Sequence, residues 1–208
     1  MIVNTSNVDY AVINAGTPAN FTLPTGTRRY VLFMIGSGGD ASSYYPSIVT
    51  IAGTVATMIT QTAPNLGEAA AIWGANIPDS VAAGSSTITV DGTGFQRCHI
   101  AVFTGVSSDP VVDSDSFRNG NSDSDGDSLT VDCVGGGWVH DIVWAGTAKN
   151  HDGAQTGIYN VTGRAGISYK SGLAHGTTSM SWTWTDSRSA HAVVSLRPFR
   201  PTGGIVMF

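Results

Sequence analysis

A chain of 208 residues with 15 acidic and 10 basic side chains carries a formal charge of −5, and only Lys149 and Lys170 are lysines. That balance excludes the basic face with which a nucleic-acid binder offsets phosphates. Charged residues are 12% of the sequence, about half the usual globular share, while Gly, Ser and Thr are abundant; this is a sheet-and-turn composition on a length sufficient for one hydrophobic core.

The first residues, MIVNTSNVDYAVIN, lack a basic region followed by an apolar core, and no apolar run approaches membrane-spanning length. No secretory signal and no membrane partner are expected, so the expectation is a chain that is either intracellular at birth or delivered by assembly or lysis. RRYVLFMI at 28–35 is apolar on both faces, with Tyr30, Leu32 and Met34 on one side and Val31, Phe33 and Ile35 on the other. It predicts a central or covered strand. Arg28 and Arg29, the densest basic spot, read as its solvated start. SIVTIAGTVATMIT at 47–60 predicts two short strands around Ala52-Gly53, AAAIWGANIP another that Pro78 ends, and STITVD at 86–91 a cleanly alternating one.

CHIAVFTGV at 98–106 is again apolar on both faces, after which Ser, Asp, Asn and Gly make 107–127 read as a loop. SLTVDCV at 128–134 resumes alternation, and in WVHDIVWAG Trp138, His140, Ile142 and Trp144 oppose Val139, Asp141 and Val143. KNHDGAQTG at 149–157 reads as a loop, followed by strands at 157–162, 165–170 and 179–185 and by a last one, SAHAVVSLRPF, closed by Pro198. No window carries a helical period. The expectation is an all-β chain: a single antiparallel β-sandwich over 1–208, jelly-roll-like, of about ten strands. The doubly apolar strands need extra cover, which either oligomerisation or the chain's own loops supply.

Candidate chemistry is sparse. There is no G-x-S-x-G elbow, no Walker loop and a single glutamate, Glu68, where glycoside hydrolysis uses two carboxylates. Asp141 and His140 are strand neighbours pointing to opposite faces, so they read as a solvent-side aspartate and a core-edge or interface histidine rather than an acid-base pair. His99, His151, His175 and His191 lack metal-ligand spacing. Met180, Trp182 and Trp184 share the face opposite Ser181, Thr183 and Thr185, which marks them as core. Cys98 and Cys133 alternate with apolar neighbours and read as buried free thiols. No catalytic residue and no cofactor are expected. One stretch approaches a metal site: with Asn121 at position 1, Asp123, Asp125, Asp127 and Asp132 fall near the register of a calcium loop, with Gly126 at its sharp turn. Seven of the 15 acids lie between Asp109 and Asp132 against one base, Arg118, so a solvated acidic loop is the competing reading.

The order YVLFMIGSG, short Thr/Val strands, IWGANIP, STITVDGTGFQRCHIAVFTGV, SLTVDCVGGGWVHDIVWAG and MSWTWTDSRSAHAVVSLRPF, over about residues 28–198, resembles a loose group of jelly-roll-like β-sandwich proteins of tailed bacteriophages and prophages. Its members include capsid decoration, cement, head-fibre and tail-associated proteins. The resemblance transfers no catalytic residue. It implies a structural virion protein on the outer surface of the capsid, a decoration or cement protein whose partners are itself, as a homotrimer, and the major capsid protein. Contact arms are expected at 1–20 and 199–208. The alternative is a carbohydrate-binding or host-attachment module with a glycan partner.

Overall fold

Strands that are apolar on both faces must be covered from both sides, and this requirement sets the architecture. The computed structural model describes residues 18–38, 45–62, 67–91, 97–120, 125–147, 149–160, 165–185 and 187–200. Its first half contains β1 (Ala19–Leu23), β2 (Arg29–Gly38), β3 (Val49–Ile51), β4 (Thr54–Val55), β5 (Thr57–Gln61), β6 (Glu68–Ile77), β7 (Gly84–Val90) and β8 (Arg97–Phe103). The second half contains β9 (Val106–Asn119), β10 (Gly126–Cys133), β11 (Gly137–Ala145), β12 (Lys149–His151), β13 (Thr156–Asn160), β14 (Ala165–Leu173), β15 (Gly176–Trp184) and β16 (Ser189–Pro198).

These strands form four separate antiparallel sheets. Two are outer, in the orders β1-β7-β3-β4 and β10-β15-β12, and two are inner, in the orders β5-β6-β2-β8 and β13-β14-β11-β16-β9. The first outer sheet packs on the first inner one through Phe21, Leu23, Ile51 and Ile88 against Val31, Phe33 and Ile35. The inner sheets meet face to face, with Leu32, Met34 and Ile72 against Ile142, Ile167 and Ala192. Val139 and Val193 on the far side of the second inner sheet are capped by Leu129, Val131 and Met180 of the second outer sheet. β2 is therefore buried along its entire length, and so is β16 except at Arg197 and Pro198.

The single ten-strand, jelly-roll-like sandwich expected from the pattern is overturned by this arrangement of sixteen strands in four sheets, none closed, among the described residues. Two layers leave one face of each sheet wet, whereas here each inner sheet is covered twice. The outer sheets supply most of that cover, and the loop residues Tyr45 and Val81 add to it. The reading of 107–127 as a loop is corrected too, because β9 fills its first part and pairs with β16. β9 is an edge strand with Pro110 and several Asp and Ser residues, a composition that protects a sheet edge and hides the strand from a hydrophobic pattern. The first three residues of KNHDGAQTG likewise belong to a strand, β12. The break at Ala52-Gly53 is a two-residue hairpin with φ of +50° and +78°, as the primed turns joining twisted strands require.

The two halves follow one strand order. Pairing β1 with β10, β2 with β11, β3 with β12, β5 with β13, β6 with β14, β7 with β15 and β8 with β16 maps each outer sheet and each inner sheet onto its counterpart, with β4 and β9 as additions. Registers agree as well. Leu23 lies opposite Gly84 and Cys133 opposite Gly176; both glycines have positive φ, +124° and +134°. Ala19, Phe21 and Leu23 point inward on β1 as Leu129, Val131 and Cys133 do on β10.

Candidate functional site

Where the halves are equivalent their chemistry differs, and the difference marks the most polar place in the interior. Aligning β2 with β11 by strand start and by face puts Asp141 where the first half has Phe33. Phe33 pairs with Trp73, and Asp141 pairs with Ser168. Two residues on, Ile35 pairs with Cys98, and Val143 pairs with His191. An apolar cluster in which the Phe33 and Trp73 rings lie 6.1 Å apart is thus matched, in the second half, by a carboxylate, a hydroxyl and an imidazole.

Asp141 and His191 have no exposed surface. The Nε2 of His191 lies 3.1 Å from Asp141 Oδ2, and its Nδ1 lies 3.0 Å from Asp127 Oδ2. Trp182 Nε1 donates to Asp141 Oδ2 at 2.7 Å, and Ser168 donates to Oδ1 through its backbone N–H at 3.0 Å and its hydroxyl at 2.6 Å. Gln155 extends the network: its Nε2 donates to Ser168 Oγ at 2.6 Å, and its Oε1 accepts the Ser181 backbone N–H at 2.6 Å. Burial would push the imidazole of His191 down, but hydrogen bonds and charge from Asp127 and Asp141 outweigh it and raise its pKa to about 9. An imidazolium is therefore clamped between two carboxylates, one from the outer sheet and one from the inner sheet. The donors of Trp182 and Ser168 satisfy the remaining lone pairs, which a buried charged cluster requires.

This cluster ties layers together and does not form a nucleophilic triad. Nucleophilic catalysis places the imidazole on the hydroxyl with the acid behind it; here Asp141 stands between Ser168 and His191. Trp182 reaches Asp141 by crossing Gly166, where a Cβ would sit 2.7 Å from the indole ring. Gly166→Val is expected to displace the indole and destabilise the protein by about 2–4 kcal/mol, an overpacking and lost-hydrogen-bond effect, with a shifted tryptophan emission as the check.

The sequence-predicted residues divide as follows. Asn121 and Asp123 lie outside the described residues. The Asp125 carbonyl accepts the Trp184 N–H, and Asp127 points inward to His191. Asp132 faces out, its N–H donating to Asp113 Oδ2 at 2.8 Å. Asp127 and Asp132 thus lie on opposite faces of β10, roughly 17 Å apart along an extended strand, and the strand does not bring them together. Among the described residues no three His, Cys, Asp or Glu side chains gather as a metal-holding group.

Asp141, expected on the solvent side, is a correction: a second outer sheet covers the face that a two-layer fold would have left wet. His140 lies fully buried between the inner sheets, stacked with Trp138 and Tyr169, and its two ring nitrogens have no hydrogen-bond partner among the described residues. Burial, then the proximity of His99, pushes its pKa down to about 3; burial pushes His99 to about 4. The Met180–Trp182–Trp184 face is core, and Cys98 and Cys133 are buried and outside any disulfide among the described residues, as the alternation implied. Arg29, expected to be solvated, is buried and donates to the carbonyls of Pro78 and Val81 at 2.8 and 2.6 Å. Arg28 remains exposed.

No family model matches the chain, and no curated protein matches it. Among solved structures, a conserved protein of unknown function from Pseudomonas aeruginosa PAO1 is 10% identical with a TM-score of 0.35, covering 88% of this chain and 76% of its own. The major capsid protein P2 of bacteriophage PM2 is 9% identical with a TM-score of 0.30, covering 95% and 98%. A chain of Sulfolobus turreted icosahedral virus is 11% identical with a TM-score of 0.31, covering 94% and 91%. In all three the similarity is distant.

Proposed function

We propose that the chain is a structural virion protein, a capsid decoration or cement protein that acts by contact with copies of itself, as a homotrimer, and with the major capsid protein. The observation that carries this reading is where apolar surface remains. Both inner sheets are already covered within the chain, so the fold itself does not call for another partner, yet Val55 and Met58 are 69% and 41% exposed. They lie on β4 and β5 and line a groove of about 520 Å³ that also takes in Ile59, Pro110 and Val111. Phe117 of β9 is exposed on the same flank, where Ser116 Oγ donates to the Gln61 carbonyl and joins the two inner-sheet edges. Apolar side chains on paired sheet edges suit a head-to-tail contact between copies that closes a ring. The segments 1–20 and 199–208 are proposed as arms toward the capsid. Within them, residues 1–17 and 201–208 lie outside the described residues, while Ala19 and Asn20 begin β1.

Sedimentation of the purified chain is expected to show an oligomer, and the doubly substituted Val55→Asp, Met58→Asp chain is expected to sediment as a monomer with unchanged circular dichroism. The variant should also fail to co-sediment with particles of the encoding phage or prophage. A monomeric wild-type chain that is absent from purified particles overturns the proposal. A host-attachment role through glycan binding has an observation of its own, a basic cleft between the halves, and is compatible with a place on the virion surface.

A further inference from the structure

We infer that the cleft at the junction of the two halves binds an acid-bearing sugar. Three of the ten basic side chains of this acidic protein, Arg28, Arg197 and Arg200, line it, together with His175 and the hydroxyl-bearing Ser107 and Ser108. They come from distant places: the turn before β2, the start of β9, the β14–β15 turn and the end of β16. Folding alone therefore gathers them. The cleft measures about 510 Å³, within the range of small-molecule sites, which favour the seams between structural units.

Arg28 and Arg200 are held but not neutralised, and Arg197 has one exposed carboxylate beside it. Arg28 has a φ of +55°, a sparsely populated backbone conformation for a side-chain-bearing residue, and its guanidinium lies 3.6 Å from the centre of the Phe199 ring. Arg200 Nη2 donates to the Gly135 carbonyl at 2.7 Å, and Arg197 Nη2 to the Val111 carbonyl at 3.3 Å. Arg197 Nε is buried and has no hydrogen-bond partner among the described residues. Two carboxylates stand nearby. Asp109, 84% exposed, is 3.9 Å from Arg197, and Asp79 accepts the backbone N–H of Arg28. Arg28 and Arg200 form no ion pair with the described residues. Each guanidinium carries five donors in a planar fork, of which the contacts above use one on Arg197 and one on Arg200, so the residues lining the cleft keep donors of the kind that carboxylate and phosphate groups accept.

The rest of the lining selects the body attached to the acid. Serine hydroxyls suit sugar hydroxyls, and Val134 and Pro198 offer apolar wall to the C–H face of a ring. Arg28 covers one face of Phe199, and the net charge of −5 opposes a nucleic-acid strand. The inference stands independently of the lattice role.

The test is calorimetric titration of the full chain with N-acetylneuraminic acid, glucose 6-phosphate, glucose and inorganic phosphate at low and high salt. One of the two acid-bearing sugars is expected to bind, the carboxylate and phosphate arms telling which acid is read, and to weaken as salt rises. Arg28→Gln with Arg197→Gln is expected to weaken that binding about tenfold or more, with melting temperature and circular dichroism retained. Should that pair fail to fold, His175→Ala, on an exposed turn, is expected to weaken it about threefold. The Val55→Asp, Met58→Asp chain should bind the sugar as the wild type does, which separates this inference from the proposed oligomer contact. No binding of either acid sugar, equal binding of glucose or of inorganic phosphate, or binding indifferent to the arginine and histidine substitutions overturns it.

Discussion

Asp141→Ala is expected to lower the unfolding free energy by about 3–5 kcal/mol, the loss that follows when one partner leaves a buried charged cluster. The substitution removes the acceptor of Trp182 Nε1, of the Ser168 N–H and hydroxyl, and of His191 Nε2 at once. Those donors have no access to water, because Asp141, Ser168 and His191 are completely buried. Each unsatisfied group then costs about 1–3 kcal/mol, tempered by local collapse. Urea unfolding measures the loss, and an unchanged midpoint would show that the network contributes nothing to stability.

The first half supplies the control, because it builds the same place from Phe33, Trp73 and Cys98. Replacing the whole network with apolar side chains, Asp127→Leu, Asp141→Leu, Ser168→Ala, Trp182→Phe and His191→Leu together, is expected to recover most of what Asp141→Ala loses, since well-packed apolar substitutes for buried ion clusters are often neutral or stabilising. The polar cluster then fixes which outer strand faces which inner strand rather than supplying net stability. Asp127 on β10 and Asp141 on β11 reach His191 only when β10 sits in its native register over the second inner sheet, and a slip of one residue would turn Asp127 outward.

The second large effect is on pH dependence, with a maximum of stability near pH 6–7 and a fall on either side. His191 has its folded pKa raised to about 9 from an ordinary 6.5. Its contribution is complete below pH 6.5, where both states are protonated, and is lost as pH rises toward 9 because the folded state must release a proton that the unfolded state has already lost. The loss is on the order of 3 kcal/mol. Lys149, lowered by burial to about 8, acts in the opposite direction above that pH, so the alkaline fall is steepest between about 6.5 and 8.

On the acid side His99 and His140, held near 4 and 3, stay neutral in the folded chain while their unfolded counterparts protonate below 6.5. Their stabilisation, present above 6.5, is lost as pH falls toward 4 and 3, by a few kcal/mol. His191→Leu should flatten the alkaline limb and leave the acid limb in place; His140→Phe should do the reverse. Chemical unfolding at a series of pH values separates the two. A profile flat from pH 5 to about 9 would contradict the clamped imidazolium and the neutral pair alike.

Much of the strand content was legible because it rests on local periodicity. β2, β6, β7, β11, β15 and β16 lie where alternation placed them, and the burial of Trp182, Trp184 and Met180 followed from their sharing one face. The layer count was not legible. Alternation tells which faces are apolar but not what covers them, and β16, with Ala190, Ala192 and Val194 on one face and His191, Val193 and Ser195 on the other, is buried on both. Strands with short or polar exposed residues, such as β9 and β12, carry too little hydrophobic signal to be seen.

His191 and Asp141 were hidden for a related reason. They are 50 residues apart in sequence, and a lone histidine in an apolar strand resembles a core residue. The available signal was the internal repeat, since the glycine-led strands GSSTITV and GTTSMSWTW recur at corresponding places and, once aligned, expose polar residues standing where the first copy has apolar ones. The basic cleft had no local signal at all. Arg28 and Arg197 line one cleft because the turn at Gly105 bonds both to Thr27, before β2, and to Phe199, after β16.

The proposal that this four-layered molecule works by contact on a virion surface meets its most direct test in a cryo-EM map of particles from the encoding phage or prophage. The map is expected to show the paired sandwiches as a trimer on the outside of the capsid, with the β4–β5 and β9 flank at the contact between copies and the Arg28–Arg197 cleft open to solvent. Particles that lack this density, or that carry it with the Val55 and Met58 flank facing solvent, would contradict the account.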